Sequence, residues 1–328
     1  MYTEVVRSGF ALLDSLLILH EAFSYLYGKL RIRKRFLFSY LYLYNFTTKK
    51  GCLLADLTMT RLYEVMIVLY AISLVFYFTD YFYKQVRARR IAFWLVSFVW
   101  MIQSAIIILT FVETKRFPIL SLSEGILFYS WLLVTLSIIL HCIARVDLPV
   151  FIINILGFLF ASIFTFMPKR PTGTVGDTLI SEMLFIHISF AILSYAAFTL
   201  TFVFAILYLV LYRLLKKKKW SHLWTRLPSL QQTSNWMNVS FFIGIPMLFI
   251  SLILGFEWAL LTLESLSIFD AKIIGSFIIL ILYCFILYVN RKSKLIGTTY
   301  AWVHIYAYLL VVVNFFLGSS LSRFHLWY

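Results

Sequence analysis

From Met59 onward the chain is a succession of eight long apolar runs joined by short connections, and few folds can accommodate that pattern. A hydrocarbon core of about 30 Å is crossed by about 20 apolar helical residues, and inside it every backbone polar group must be satisfied within the segment. That ruler predicts spans at roughly Leu62–Thr79, Ile91–Val112, Glu124–Ala144, Pro149–Met167, Leu184–Leu215, Asn238–Leu260, Lys272–Asn290 and Thr299–Gly318. The expected fold is therefore all-α, a polytopic membrane helix bundle occupying 59–328. Composition agrees: 62% of residues are hydrophobic and 13% charged, against roughly half and a quarter in soluble domains. No soluble domain fits between the spans, so any chemistry belongs in the bilayer or at its surfaces.

The net charge of +15 would suggest nucleic acid in a soluble protein. Here the basic residues sit in short loops, where they set topology and meet anionic lipid, so the partner is a lipid bilayer and not nucleic acid. Loops after the first, third, fifth and seventh spans hold fourteen Lys and Arg, including Lys84, Arg89 and Lys216 to Lys219, against seven on the other side, among them Arg116, Lys169, Arg170 and Lys272. This bias predicts that the richer side is cytoplasmic and that, counted from Met59, both termini lie outside. The fifth span, too long for the core, is expected to tilt or to project its basic end into the cytoplasm, and Pro246 is expected to kink the sixth.

Residues 1–58 do not share this pattern. They hold eight of the 29 basic residues and an apolar-aromatic run, Phe36–Phe46, too short to span. They also place Lys49 and Lys50 on the side predicted to be outside and lack a signal-peptide layout. The expectation is an over-extended translation start with Met59 as initiator; the alternative is an amphipathic interfacial segment.

Four of the six histidines lie in or beside the apolar runs, where an ionisable ring is costly and signals function. The predicted topology sorts them by depth. His187 and His325 fall near the outer surface, and His141 and His304 near the inner leaflet. Two neutral imidazoles at one depth are the ligand set of a low-spin haem iron, haem b being the cofactor expected. Ala191, Ser194 and Tyr195 follow His187 by four, seven and eight residues and so share its helix face. Small Ala191 and Ser194 would let a flat macrocycle approach the backbone, Tyr195 would donate to a polar edge, and Lys169 and Arg170 would meet the propionates. The blander reading is that each histidine hydrogen-bonds a neighbouring helix. His222, beside Trp220 and Trp224, reads as interfacial, and His20 receives no role.

Other polar groups read as structural. Ser121 and Glu124 form a capping box ahead of the third span. Glu257, Glu264 and Asp270 surround an outer loop, where carboxylates are usually solvated. Cys52, Cys142 and Cys284 have no CxxC spacing, so neither a disulfide framework nor a zinc site follows. GxGxxG, GxxxxGK[ST], HExxH and GxSxG patterns are absent from the sequence, and a non-enzymatic role is expected.

The run FIHISFAILSYAAF from Phe185 to Phe198 resembles the histidine-containing segment of the cytochrome c assembly (CcsA/CcmC-like) membrane family. Phe117-Pro118 through Glu124-Gly125 and Trp131 resemble that family's lead-in to a span, and NFFLGSSLSRFH from Asn314 to His325 its terminal segment with the second external histidine. The resemblance covers roughly Met59 to Tyr328. Haem exporters of the family carry an external pattern like WDPKETW; here the stretch Phe269 to Gly275 keeps only Asp270 and Lys272, and Tyr288 stands where a further membrane histidine would fall. With LPSL at Leu227–Leu230, the chain is most similar to a Gram-positive branch without the haem-presenting platform. The resemblance implies a haem-binding membrane protein that negatively regulates haem biosynthesis by lowering the abundance of glutamyl-tRNA reductase, through a cytoplasmic surface at Lys216–Trp224. The alternatives are haem delivery in cytochrome c maturation and a structural membrane partner without a cofactor.

Overall fold

The computed structural model describes residues 34–83, 85–114, 116–144, 147–167, 182–217, 227–262, 270–292 and 297–321, with side-chain surroundings from Met59 to Phe316. The chain divides into two compact units at Met59, and the second, Thr60 onward, carries the spans. The helices are α1 (Lys34–Tyr83), α2 (Val86–Thr114), α3 (Leu122–Ala144), α4 (Asp147–Phe166), α5 (Glu182–Lys216), α6 (Leu230–Thr262), α7 (Ala271–Arg291) and α8 (Thr298–Leu321). Each contains a segment long and apolar enough to cross a membrane, the first being Met59–Tyr83. All eight expected spans are therefore present, and the fold is that of a multi-pass membrane protein, helical throughout the described residues outside its turns and bends.

Local chemistry sets the helix ends. Glu124 accepts from the backbone N–H groups of Leu120 (3.1 Å) and Ser121 (3.0 Å), while Ser121 Oγ accepts from the N–H of Glu124. The capping box read from the sequence thus forms. Arg116 adds a two-pronged ion pair to the same carboxylate, at 2.9 and 3.1 Å. Asp270 caps α7 by accepting from the N–H of Lys272. At the opposite ends of the helices, Arg89 at the start of α2 pairs with Asp147 at the start of α4. The helix α6 runs unbroken through Pro246.

The longest seam joins α5 to α6, α8 packs against α5 and α7, and α3 against α4. Without a hydrophobic drive inside lipid, such seams rest on small residues and interhelical hydrogen bonds. Ser130 on α3 donates to the carbonyl of Gly157 on α4, and Gln103 on α2 donates to Ser130. A Cβ at Gly244 on α6 would come within 2.5 Å of the Phe198 ring, so that glycine permits the close approach of α5. The outward faces of α1, α2, α6 and α7 carry exposed Phe, Ile, Val and Leu, as surfaces in contact with lipid do. The fold matters for function because α3, α5, α6, α7 and α8 converge around one apolar cleft.

Candidate functional site

His187 lies in the second turn of α5, about 7 Å below the helix start at 1.5 Å per residue. Its Nδ1 lies 2.5 Å from the carbonyl oxygen of Ser251 on α6, and Ser251 Oγ donates in return to the carbonyl of His187 at 2.9 Å. A carbonyl can only accept, so Nδ1 carries the proton and the lone pair is left on Nε2. A carbonyl that fixes one imidazole nitrogen sets the tautomer and the ring orientation, as it does for metal-bound histidines.

The ring also needs room against α6, which Gly255 provides. A Cβ there would fall 2.6 Å from Nδ1 and closer still to Cε1, so any larger residue would displace the imidazole. Ser251 and Gly255 stand four residues apart and therefore share a face of α6.

The ring opens onto a cleft of about 90 Å³ lined by Leu122 and Gly125 of α3, Ile188, Ala191, Ile192 and Tyr195 of α5, Leu248, Leu252 and Phe256 of α6, Lys272, Ile273, Ser276 and Phe277 of α7, and Phe315 of α8. The walls are mostly hydrocarbon. Polar groups gather at two places. Lys272, in the first turn of α7, marks the outer end. The other is the floor, where the Tyr195 hydroxyl lies beside Ser276 and Asn314 and Asn314 donates to Ser276 Oγ at 3.3 Å.

Several expected site residues fall elsewhere. Ala191 and Tyr195 line the cleft, but Ser194 does not: it is fully buried and its hydroxyl donates to the carbonyl of Ala191 at 2.8 Å. The cleft-lining residues Ile188, Ala191, Ile192 and Tyr195 lie to one side of His187 around α5, whereas Ser194 falls to its other side and its short side chain finds an acceptor on its own helix. The Tyr195 hydroxyl lies beside Ser276 and Asn314. His325, Lys169, Arg170, Glu264, His222 and most of Lys216–Trp224 lie outside the described residues.

The inner histidines occupy separate surroundings. His141 on α3 is half-buried and stacks on Phe93 of α2, with ring centroids 4.6 Å apart. His304 on α8 is fully buried between Phe241 and Tyr300, at 4.7 and 4.5 Å edge-on, and neither nitrogen has a hydrogen-bond partner. Among the described contacts nothing joins the two rings.

Ser251 and Gly255 are site residues for which the sequence suggests no role by itself, while Lys272 is one of the two residues kept from the external pattern of the exporters. The signal for Ser251 and Gly255 is the small-residue spacing on α6, Gly244, Ser251 and Gly255, which marks a close helix seam.

Comparison with known proteins agrees with this architecture. The family model described as Cytochrome C assembly protein matches residues 119–325, which contain the whole cleft. Protein HemX of Bacillus subtilis (strain 168) is 44% identical over 271 residues, 82% of this chain and 98% of that protein. Protein HemX of Brevibacillus brevis is 36% identical over 267 residues, 81% of this chain and 98% of that protein. Among solved structures, the cytochrome c heme lyase CcmF superposes with a TM-score of 0.60 over 81% of this chain at 14% identity, and the chain spans 47% of that lyase; this likeness shows the fold. With one fold, one matched family and two full-length HemX relatives in agreement, the chain belongs to the cytochrome c assembly family of membrane proteins, on its HemX branch.

Proposed function

We propose that the chain is a non-enzymatic, haem-responsive membrane regulator that holds haem b in the outer cleft and restrains haem biosynthesis by lowering the abundance of glutamyl-tRNA reductase. The observation that carries the haem half of this reading is the His187 imidazole, fixed through Nδ1 to the Ser251 carbonyl and seated on Gly255. Among the described residues no three or more His, Cys, Asp and Glu side chains gather as a metal site. A lone imidazole in an apolar cleft suits an iron that brings four nitrogen ligands of its own.

The donor set fits haem in three further respects. Gly125 and Ala191 offer little bulk to a flat ring, the walls are apolar, and Lys272 supplies a cation for a carboxylate at the interface. When bound, haem would supply an iron for the His187 imidazole to hold, with His325 the second ligand that the family resemblance implies. The present volume of about 90 Å³ is below the roughly 300–1,000 Å³ of pockets that enclose whole ligands, so holding the macrocycle requires the walls to part.

The regulatory half follows from the resemblance read in the sequence and draws on a polar seam along one face of α8. Tyr300 donates to Asn238 at 2.7 Å near the inner end. Thr199 joins Tyr308 and Tyr129 midway, at 3.1 and 2.5 Å, and Asn314 meets Tyr195 at the cleft floor. Buried His304 lies within that seam. A ligand that shifts Tyr195 would bias packing along α8 toward the cytoplasmic loops, where the reductase would be met.

Family membership favours a second reading, haem delivery for cytochrome c maturation. Deleting the gene separates the two. A rise in reductase abundance with intact c-type cytochromes supports regulation, whereas loss of c-type cytochromes at unchanged reductase abundance supports delivery.

A further inference from the structure

We infer that the cleft is loaded sideways from the bilayer, through a lip between α6 and α7 formed by Phe256 and Phe277; this rests on the haem reading above. Of all the residues lining the cleft, only these two are substantially exposed, Phe256 at 39% and Phe277 at 42%. Each lies six residues inside its helix from the outer end, so both sit about 9 Å below it, at one level. Their neighbours on the same outward faces are Ile253 on α6 and Ile274, Ile278 and Ile281 on α7, all exposed. The opening therefore faces hydrocarbon.

Packing makes this seam the movable wall. While α5 and α6 are joined along their length and by the Ser251–His187 pair of hydrogen bonds, α6 and α7 touch over only a short stretch. Parting them exposes aliphatic and aromatic surface to lipid, which costs little where no water is excluded. On the opposite wall α7 is tied to α8 through Ser276 and Asn314, and a Cβ at Gly275 would collide with the Asn314 side chain. The outer half of α7 would thus move away from α6 as part of an α7–α8 pair.

The geometry names a ligand class: planar, apolar over most of its surface, and acidic at one edge. Such a molecule partitions into a bilayer with its acid groups at the headgroups, where Lys272 stands at the top of the cleft. Sliding between Phe256 and Phe277 would bring its face to the His187 ring without passing through water.

The test uses the full chain in nanodiscs and haem presented in phosphatidylcholine vesicles, with the rise of the Soret band timed by stopped flow. Cys142 and Cys284 are exposed, so all three native cysteines are first replaced by serine. In that background Phe256→Cys with Phe277→Cys is closed by a bismaleimide carrying a cleavable disulfide, and Phe256→Ala with Phe277→Ala opens the lip. Closing is expected to slow loading at least ten-fold, reversibly on cleavage, and opening to speed it several-fold. A Soret band that forms at the same rate in closed, open and parent proteins overturns lateral loading while leaving the haem reading intact. No Soret band in the parent protein overturns the haem reading and this inference with it.

Discussion

Gly255→Ala is the most telling single change. The new methyl would fall 2.6 Å from His187 Nδ1, inside the van der Waals limit, and the ring cannot retreat without leaving the Ser251 carbonyl 2.5 Å away. Alanine contributes about 0.8–1.0 kcal/mol in helix propensity over glycine, while overpacking costs about 1–3 kcal/mol, so the fold is expected to survive with a net loss of at most about 2 kcal/mol. Haem affinity should respond more strongly. Losing the partner that orients a ligating histidine typically costs 10–100-fold, or about 1.4–2.8 kcal/mol at 1.4 kcal/mol per decade. The assay is a haem titration of the purified protein in nanodiscs, followed by Soret absorbance. Gly244→Ala is the control. It overpacks the same α5–α6 seam, but against Phe198, far along the helix from His187, and should lower thermal stability similarly without weakening haem. Wild-type haem affinity in Gly255→Ala, or an equal loss in Gly244→Ala, would refute the reasoning.

Three further outcomes follow from the same physics. His304→Leu should raise the thermal midpoint, because the native ring is fully buried with neither nitrogen hydrogen-bonded and an apolar replacement removes that desolvation cost; a lowered midpoint would show a partner for the ring. Arg116→Ala should cost about 1–3 kcal/mol, since it strips a two-pronged ion pair from a partly buried Glu124 that also caps α3, and chemical unfolding should show Arg116→Lys to be milder. Gly275→Ala should displace Asn314, and its mark would be weakened haem binding through Tyr195 together with a lower melting temperature; a change in neither would detach this polar cluster from the site.

The spans were legible because length and hydropathy are themselves the physical requirement for crossing a bilayer. The α3 cap was legible too, since Ser121 and Glu124 are local in sequence. The site was only half so. His187, Ala191 and Tyr195 lie on one face of one helix, and helical spacing places them together. Ser251, Gly255 and Lys272 come from other helices, and periodicity within a span says little about which neighbour it meets when every face is apolar. Ser194 shows the limit of spacing even within a helix, for its hydroxyl turned to a backbone carbonyl. The inner histidines were assigned a common depth, and depth alone does not bring two rings together: His141 went to Phe93 and His304 to Phe241 and Tyr300.

The central claim is that His187 is a haem ligand held by α6. The most direct measurement is the absorption spectrum of the purified protein with haem, wild type beside His187→Ala. A sharp Soret band with resolved low-spin features is expected in the wild type, and its loss or a shift to a high-spin form in His187→Ala. An unchanged spectrum in His187→Ala, or no Soret band in the wild type, would contradict it.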